Sequence, residues 1–288
     1  EAIDYVKPMI YAYDNSDMDK LPKRYDNSHK GMYGRVAVIA GSKNMSGAAF
    51  LCGKAAYSTG AGLVKIYTHE SNRMILQSQL PEAIMMTYQD YEGALSCIED
   101  AMQWATVIVV GPGLGMDTTS ERMLYELLMN ADVPLVVDAD ALNILSENME
   151  LAATSSVQMI MTPHMKEMSR LVKKKIPEIA ENRFEIAKKF AKRLGVVLVL
   201  KDAKSIVTDG AARTYINLAG NNGMSTGGAG DVLSGIIAGM IAGGLSLAEA
   251  ARIGTYVHCQ AGDYAAAKKG KYAMLASDII SCLGAVMR

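Results

Sequence analysis

Five glycines crowd the stretch from Leu218 to Gly230 (Gly220, Gly223, Gly227, Gly228 and Gly230), and Asp231 follows them at the head of an apolar run. Glycine permits positive φ and lets backbone approach a ligand with no Cβ in the way. Long loops inside compact domains tend to be functional. Where such a loop feeds a helix, free N–H groups and the positive dipole end make an anion site, and phosphate is the obvious anion. The dipole contributes only about 0.3–1 kcal/mol, so charge-assisted hydrogen bonds, at roughly 1.5–3 kcal/mol each, matter more. A carboxylate in that first turn opposes phosphate binding. It makes sense if Asp231 takes the proton of a hydroxyl that meets a phosphoryl group. The competing reading is an ordinary helix-capping aspartate.

Other chemistry-bearing residues fall at strand ends. "VVGPGLG" (Val109–Gly115) closes a buried strand in a glycine-rich turn, a place where open α/β sheets bind ligands, although a simple tight turn also fits. "VVDADALN" sets Asp138 and Asp140 at alternate positions of an extended segment, hence on one face. They would hold Mg²⁺ directly or through water, or Asp140 merely caps a helix. In "MTPHMKEMSRL" a strand closes and a helix opens, with Pro163 suited to the first turn. His164 would then sit at the strand's edge, beside the site or facing solvent. Lys201 ends another strand, where it would meet phosphate or water. No GK[ST] ending follows Gly41, and no GxGxxG follows a first strand, which argues against a P-loop NTPase and a Rossmann fingerprint.

The elements needed to hold these residues follow from hydrophobic pattern. Short apolar runs at Val36–Ala40, Leu63–Tyr67, Val107–Val110, Leu135–Asp138, Gln158–Thr162 and Val196–Leu200 read as strands covered on both faces. Between them Ser46–Thr59, Thr119–Asn130, Ala139–Glu147 and Pro177–Leu194 read as helices. The alternation implies βαβ crossovers and a mainly parallel sheet. After Leu200, Ser205–Asp209 and Arg213–Asn217 flank "GAA" as a hairpin. Asp231–Gly243, Leu247–Lys268 and Ala276–Val286 follow as helices. Residues 1–33, polar and aperiodic through 30, read as an arm, and 34–288 as one domain.

The whole chain sets the limits. Its 288 residues are half hydrophobic and one fifth charged, ample for a core, and the net charge of −1 gives no pull toward nucleic acid or acidic membrane. Four scattered cysteines fit reduced thiols of a cytoplasmic protein rather than a zinc site. No signal-peptide h-region is expected at the N-terminus. Val232–Leu245 is too short to span a bilayer, and Gly235 and Gly239 within it suit close packing of a buried helix.

Together the segments "GSKNMSGAAFLCGKAAYSTGAGLV", "GPGLG", "DADALN", "TPH", "LKDAKS" and "GNNGMSTGGAGDVLSG" resemble the NAD(P)H-hydrate dehydratases, carbohydrate-kinase-like repair enzymes with a ribokinase-type three-layer αβα fold. The resemblance runs from about Gly34 to the C-terminus. It implies that ADP or ATP, with Mg²⁺, phosphorylates the ring hydroxyl of the hydrated cofactors NADHX and NADPHX, after which phosphate leaves and NADH or NADPH returns. By the same resemblance Ala48, Gly113, His164 and Asp231 contact the hydrated cofactor. Lys201, Asp202, Ala203, Lys204, Ser205 and Gly230 hold the adenine nucleotide, and the backbone of Gly228, Ala229 and Gly230 steadies the transferring phosphoryl group. The chain departs from the family pattern at Met165 and Lys166 after His164, at Asp202, where glycine is common, and at Ser58, where arginine is frequent. Family members are often fused to an epimerase domain, and epimerisation of the hydrate is expected from another protein; relatives suggest a homotetramer. The rivals are a kinase of a small hydroxymethyl compound on the same fold and a noncatalytic nucleotide-binding protein.

Overall fold

The computed structural model describes residues 9–211 and 213–288. Residues 1–8 of the expected arm, and Ala212 in the expected "GAA" turn, lie outside the described residues. The strands, in chain order, are β1 (Ile10–Tyr11), β2 (Arg35–Ile39), β3 (Leu63–His69), β4 (Ile84–Tyr88), β5 (Val107–Val110), β6 (Leu135–Val137), β7 (Met159–Met161), β8 (Val197–Leu200), β9 (Ile206–Thr208) and β10 (Thr214–Ile216). They form one sheet in the order β1-β10-β9-β8-β7-β6-β5-β2-β3-β4. From β8 to β4 every neighbour pairs in parallel, while β9 runs against both β8 and β10.

Twelve helices cover the sheet among the described residues: α1 (Ser46–Ser58), α2 (Arg73–Gln79), α3 (Tyr91–Trp104), α4 (Thr118–Asn130), α5 (Asp140–Glu147), α6 (Met149–Thr154), α7 (Met165–Val172), α8 (Ile176–Glu181), α9 (Arg183–Leu194), α10 (Ala229–Ala242), α11 (Leu247–Lys269) and α12 (Ala276–Val286). The wholly apolar strands divide their side chains by parity. Val107 and Val109 of β5 belong to the core cluster shared with α1, α10, α11 and α12, and Ile108 and Val110 to the cluster shared with α3, α4, α5, α7 and α9 on the opposite face. This two-sided burial is why the central strands carry no polar alternation. Gly235 and Gly239 let α10 press onto α1: a Cβ on Gly235 would come within 2.2 Å of the Cys52 carbonyl oxygen, and one on Gly239 within 2.0 Å of Thr59 Oγ1.

Several local readings change. Ala139 has φ 50° and ψ −119°, so the chain turns sharply between Asp138 and Asp140, and the two carboxylates do not share a strand face. His164, not Pro163, opens α7, because its ring nitrogen caps the helix. The run Pro177–Leu194 is broken at Asn182 into α8 and α9. In the expected arm, Ile10 and Tyr11 add a parallel edge strand to β10, and Tyr13 is buried in the core with its hydroxyl donating to Glu249. Two alternating residues are too short a signal; their partner lies some two hundred residues away in sequence.

The topology locates the site. From β2 the chain proceeds outward through β3 and β4, then returns to β5 on the other side of β2 and proceeds the opposite way. Such a reversal opens a crevice at the carboxyl ends of the two adjacent strands. The turns after β2 and β5 form its rims, tied by Gly41 N–H to the Pro112 carbonyl and Ser42 N–H to the Gly113 carbonyl.

Candidate active site

The glycine loop is anchored at its start and open at its end. Asp263 of α11 accepts from Gly220 N–H and from Asn221 Nδ2, both at 2.8 Å, while Asn221 Oδ1 accepts from Gly223 N–H. Gly228 then takes φ +86° to start α10. That positive φ favours glycine, and a Cβ there would also lie 2.3 Å from Leu51 Cδ1, which would have to move. No side chain caps the N-terminus of α10, which leaves its first-turn N–H groups for a ligand. The placement read from sequence, an aspartate in the first turn after a glycine loop, is the one observed.

Charge converges on this helix end. Lys201 follows β8 and points its Nζ to Asp138 Oδ1 at 2.8 Å. The same Nζ lies 3.2 Å from where a Cβ of Gly230 would stand, so the ammonium reaches the cradle where residue 230 lacks a side chain. Asp138, 1% exposed at the end of β6, also accepts from Ser234 Oγ at 2.6 Å. Burial opposes its charge, but Lys201 and the hydrogen bonds from Lys201, Ser234 and Thr162 overcome that and hold the carboxyl below the usual range. Asp231 is partly buried. Burial first, then the charge of Asp138, push its pKa up to about 7 against the pull of Lys201. A carboxylate poised near neutrality accepts a proton readily, the property a general base needs.

His164 sits beside Lys201 through a parallel β-bridge. Its Nδ1 accepts from the backbone N–H groups of Lys166 and Glu167, both at 3.1 Å. Burial, then Lys201, lower its pKa. A neutral ring with Nδ1 so engaged carries its proton on Nε2, which lies 3.4 Å from Glu167 Oε1, so His164 is a donor and not a base. The Met165 and Lys166 departures leave this cap intact. Glu167, buried behind it, returns a bond from His164 N–H at 2.8 Å, and burial raises its carboxyl to about 7. Sequence reasoning assigned no role to Glu167, Ser234 or Leu51. A Glu three residues after a capping residue is a legible pattern, whereas nothing local marks Ser234 or Leu51.

The remaining residues fall into two groups. Ala48, in the first turn of α1, faces Gly113 across the crevice: a Cβ on Gly113 would lie 3.0 Å from that of Ala48. In the segment 201–205, Asp202 pairs with Arg183 at 3.1 Å, Lys204 donates to the Leu218 carbonyl, Ser205 Oγ closes the turn on Asp202, and Ala203 N–H caps on Asp202 Oδ1. The turn thus links β8 to the base of the glycine loop. Asp138 and Asp140 do not converge: Asp140 Oδ2 accepts from Gly115 N–H at 2.9 Å, and Asp138 is engaged by Lys201 and Ser234. Among the described residues no three His, Cys, Asp or Glu side chains cluster as a metal site. That donor set does not make an all-protein Mg²⁺ cage; it suits the common case in which Mg²⁺ rides largely on nucleotide phosphates and water.

The chain is similar to known proteins over most of its length. A family profile described as NAD(P)H-hydrate dehydratase covers residues 36–284. The ADP-dependent (S)-NAD(P)H-hydrate dehydratase of Lactiplantibacillus plantarum is 36% identical over 250 residues, 86% of each chain. The bifunctional NAD(P)H-hydrate repair enzyme of Moorella thermoacetica is 38% identical over 275 residues, 93% of this chain and 52% of that protein. The chain spans about half the length of such bifunctional relatives. A Bacillus subtilis ADP/ATP-dependent NAD(P)H-hydrate dehydratase, crystallised with ATP and Mg²⁺, superposes with TM-score 0.84 and 28% identity, covering 95% of this chain and 96% of that one. With its ribokinase-like sheet, its uncapped glycine-led helix and Asp231 in place, this chain belongs to the NAD(P)H-hydrate dehydratase family.

Proposed function

We propose that this protein restores NADHX and NADPHX to NADH and NADPH at the expense of ADP or ATP. One observation carries the reading: Asp231, poised near neutrality, stands in the first turn of an uncapped helix whose Gly230 is reached by the Lys201 ammonium. That is a base beside a phosphoryl cradle. Asp231 takes the proton of the ring hydroxyl, and the freed oxygen attacks the terminal phosphorus of the nucleotide. The bond to the departing nucleotide breaks as the Gly228–Gly230 backbone and Lys201 meet the developing charge. Phosphate then leaves the ring with the C–O electron pair. A proton departs from the neighbouring ring carbon, whose C–H pair becomes the double bond.

Ala48, Gly113 and His164 would hold the hydrated ring, and residues 201–205 the adenine nucleotide. Mg²⁺ bound with the nucleotide would neutralise phosphate charge. Asp138 serves here to aim Lys201, and Asp140 to fix the Gly115 turn. No helix among the described residues is long and apolar enough to cross a membrane, and four free, buried thiols suit a reducing cytoplasm. Exposed Met74, Ile75 and Ile84 near the β4 edge suit self-association, a tetramer by analogy. Replacing Asp231 with Asn tests the reading: turnover should collapse while the nucleotide still binds, and undiminished turnover would remove Asp231 as the base.

A further inference from the structure

A second concavity opens at the crevice between β2 and β5, beyond the Gly111–Gly115 turn. It has a volume of about 350 Å³ and is lined by residues that follow four strands: Lys43 after β2, His69 and Tyr88 at the ends of β3 and β4, and Gly115 and Asp117 after β5, with Asp90 opposite. None of these has a place in the chemistry at Asp231. The groove is nevertheless joined to that site. Gly115 on its rim is held by Asp140 Oδ2, and Gly113, two residues earlier, packs on Ala48.

Its lining has a definite chemistry. The rings of His69 and Tyr88 meet edge to face, with centroids 6.0 Å apart and planes at 86°, and form an aromatic wall. His69 Nδ1 accepts from Ser71 N–H and contacts Ser71 Oγ, so its Nε2–H remains as a donor. Asp90 and Asp117 each use Oδ1 to cap a helix, on Gly93 N–H and Ser120 N–H at 2.8 Å, and keep Oδ2 as a free acceptor. Lys43 brings one exposed ammonium. Two carboxylates against one lysine would repel a simple polyanion. An aromatic wall with acceptors for hydroxyls or an exocyclic amine, plus one cation and one N–H donor, fits a nucleoside phosphate.

We propose that this groove holds the adenosine-phosphate half of the dinucleotide whose hydrated ring reacts at Asp231. This rests on the function proposed above. A dinucleotide with its ring over Ala48 and Gly113 must lead its other half away from the phosphoryl donor, and the crevice at the strand-order reversal is where open α/β sheets take such ligands.

The test compares NADHX with the shortened substrate, hydrated reduced nicotinamide mononucleotide, in the variants Lys43→Glu and His69→Ala, both at solvent-accessible positions. The KM for NADHX should rise about tenfold or more with kcat near the parent value, while the KM values for the mononucleotide hydrate and for ADP or ATP hold. Equal rises for both hydrates, or no rise, would overturn the proposal. A rise in the KM for ADP or ATP would place the phosphoryl donor in the groove and overturn it as well. If the parent protein turns over neither hydrate, the proposed function fails. Calorimetric titration with NADH against reduced nicotinamide mononucleotide then decides the groove alone, by the same selective weakening or its absence.

Discussion

Lys201 Nζ and Asp138 Oδ1 lie 2.8 Å apart across β7, with Asp138 1% exposed and the lysine side chain 18% exposed. Burial alone would lower the lysine pKa, yet the charges of Asp138 and Glu167 raise it. The ammonium is thus fixed in its charged form and aimed at Gly230. Removing one partner strands the other charge in a low-dielectric interior, at a cost of about 3–5 kcal/mol. Asp138→Asn is therefore expected to lower unfolding stability by about that amount in urea titrations and to raise the KM for the nucleotide. A neutral effect on both would show that Lys201 finds its place without Asp138.

Asp231→Asn preserves shape and removes the base. A loss of about 100-fold to 10,000-fold in kcat is expected, with the nucleotide dissociation constant unchanged or lower, because a negative charge beside phosphate has gone. Steady-state turnover and calorimetry on the same preparation separate these two effects.

The raised pKa of Asp231 gives two opposite pH dependences. As a base it works only when ionised, so kcat/KM should climb from the acid side through about pH 7 and then level off. For stability, a carboxyl raised above its unfolded value of about 3.9 binds its proton more tightly when folded. Its stabilisation is complete below that value and is lost as pH rises through about 7; Glu167 acts in the same direction. Asp231→Asn should therefore be more stable than the parent at pH 8, on the order of 1–4 kcal/mol, measured by thermal or urea unfolding. An Asn variant less stable than the parent at that pH would contradict the buried, raised carboxyl.

Two glycines of the loop should respond differently to alanine. At Gly228, φ is +86° and a Cβ would strike Leu51, whereas at Gly227 no atom lies within 4 Å of an added Cβ. Gly228→Ala is expected to cost about 1–3 kcal/mol and to cut turnover more than tenfold by displacing the cradle. Gly227→Ala should stay within a few-fold of the parent. Equal effects would mean that the loop does not rely on the Gly228 conformation.

Much of this was legible in the sequence because the signals are local. The apolar runs of β2, β5 and β8 announce strands buried on both faces, and the glycine loop ending at Asp231 announces an uncapped helix start. Family resemblance, rather than spacing, singled out Ala48 and Gly113, since an alanine and a glycine carry no chemical signature of their own. What escaped depends on distant partners. Tyr13 reads as an arm residue until Glu249 and the β10 edge arrive from the other end of the chain. The Asp138–Asp140 pair reads as one strand face until Ala139 takes a positive φ, beside the Gly111 turn that lies close against the Asp138 carbonyl. Glu167 gains its high pKa from burial and from the charge of Asp138, which is distant in sequence.

The central claim is nucleotide-dependent repair of a hydrated nicotinamide. Its most direct measurement is the near-ultraviolet absorbance of reduced nicotinamide when the folded protein meets NADHX and Mg²⁺, with ADP or ATP added separately. A nucleotide-dependent rise, absent in Asp231→Asn, is the expected result and identifies the phosphoryl donor. A flat trace with both nucleotides would contradict the dehydratase reading and leave the same base and cradle to a small-molecule kinase.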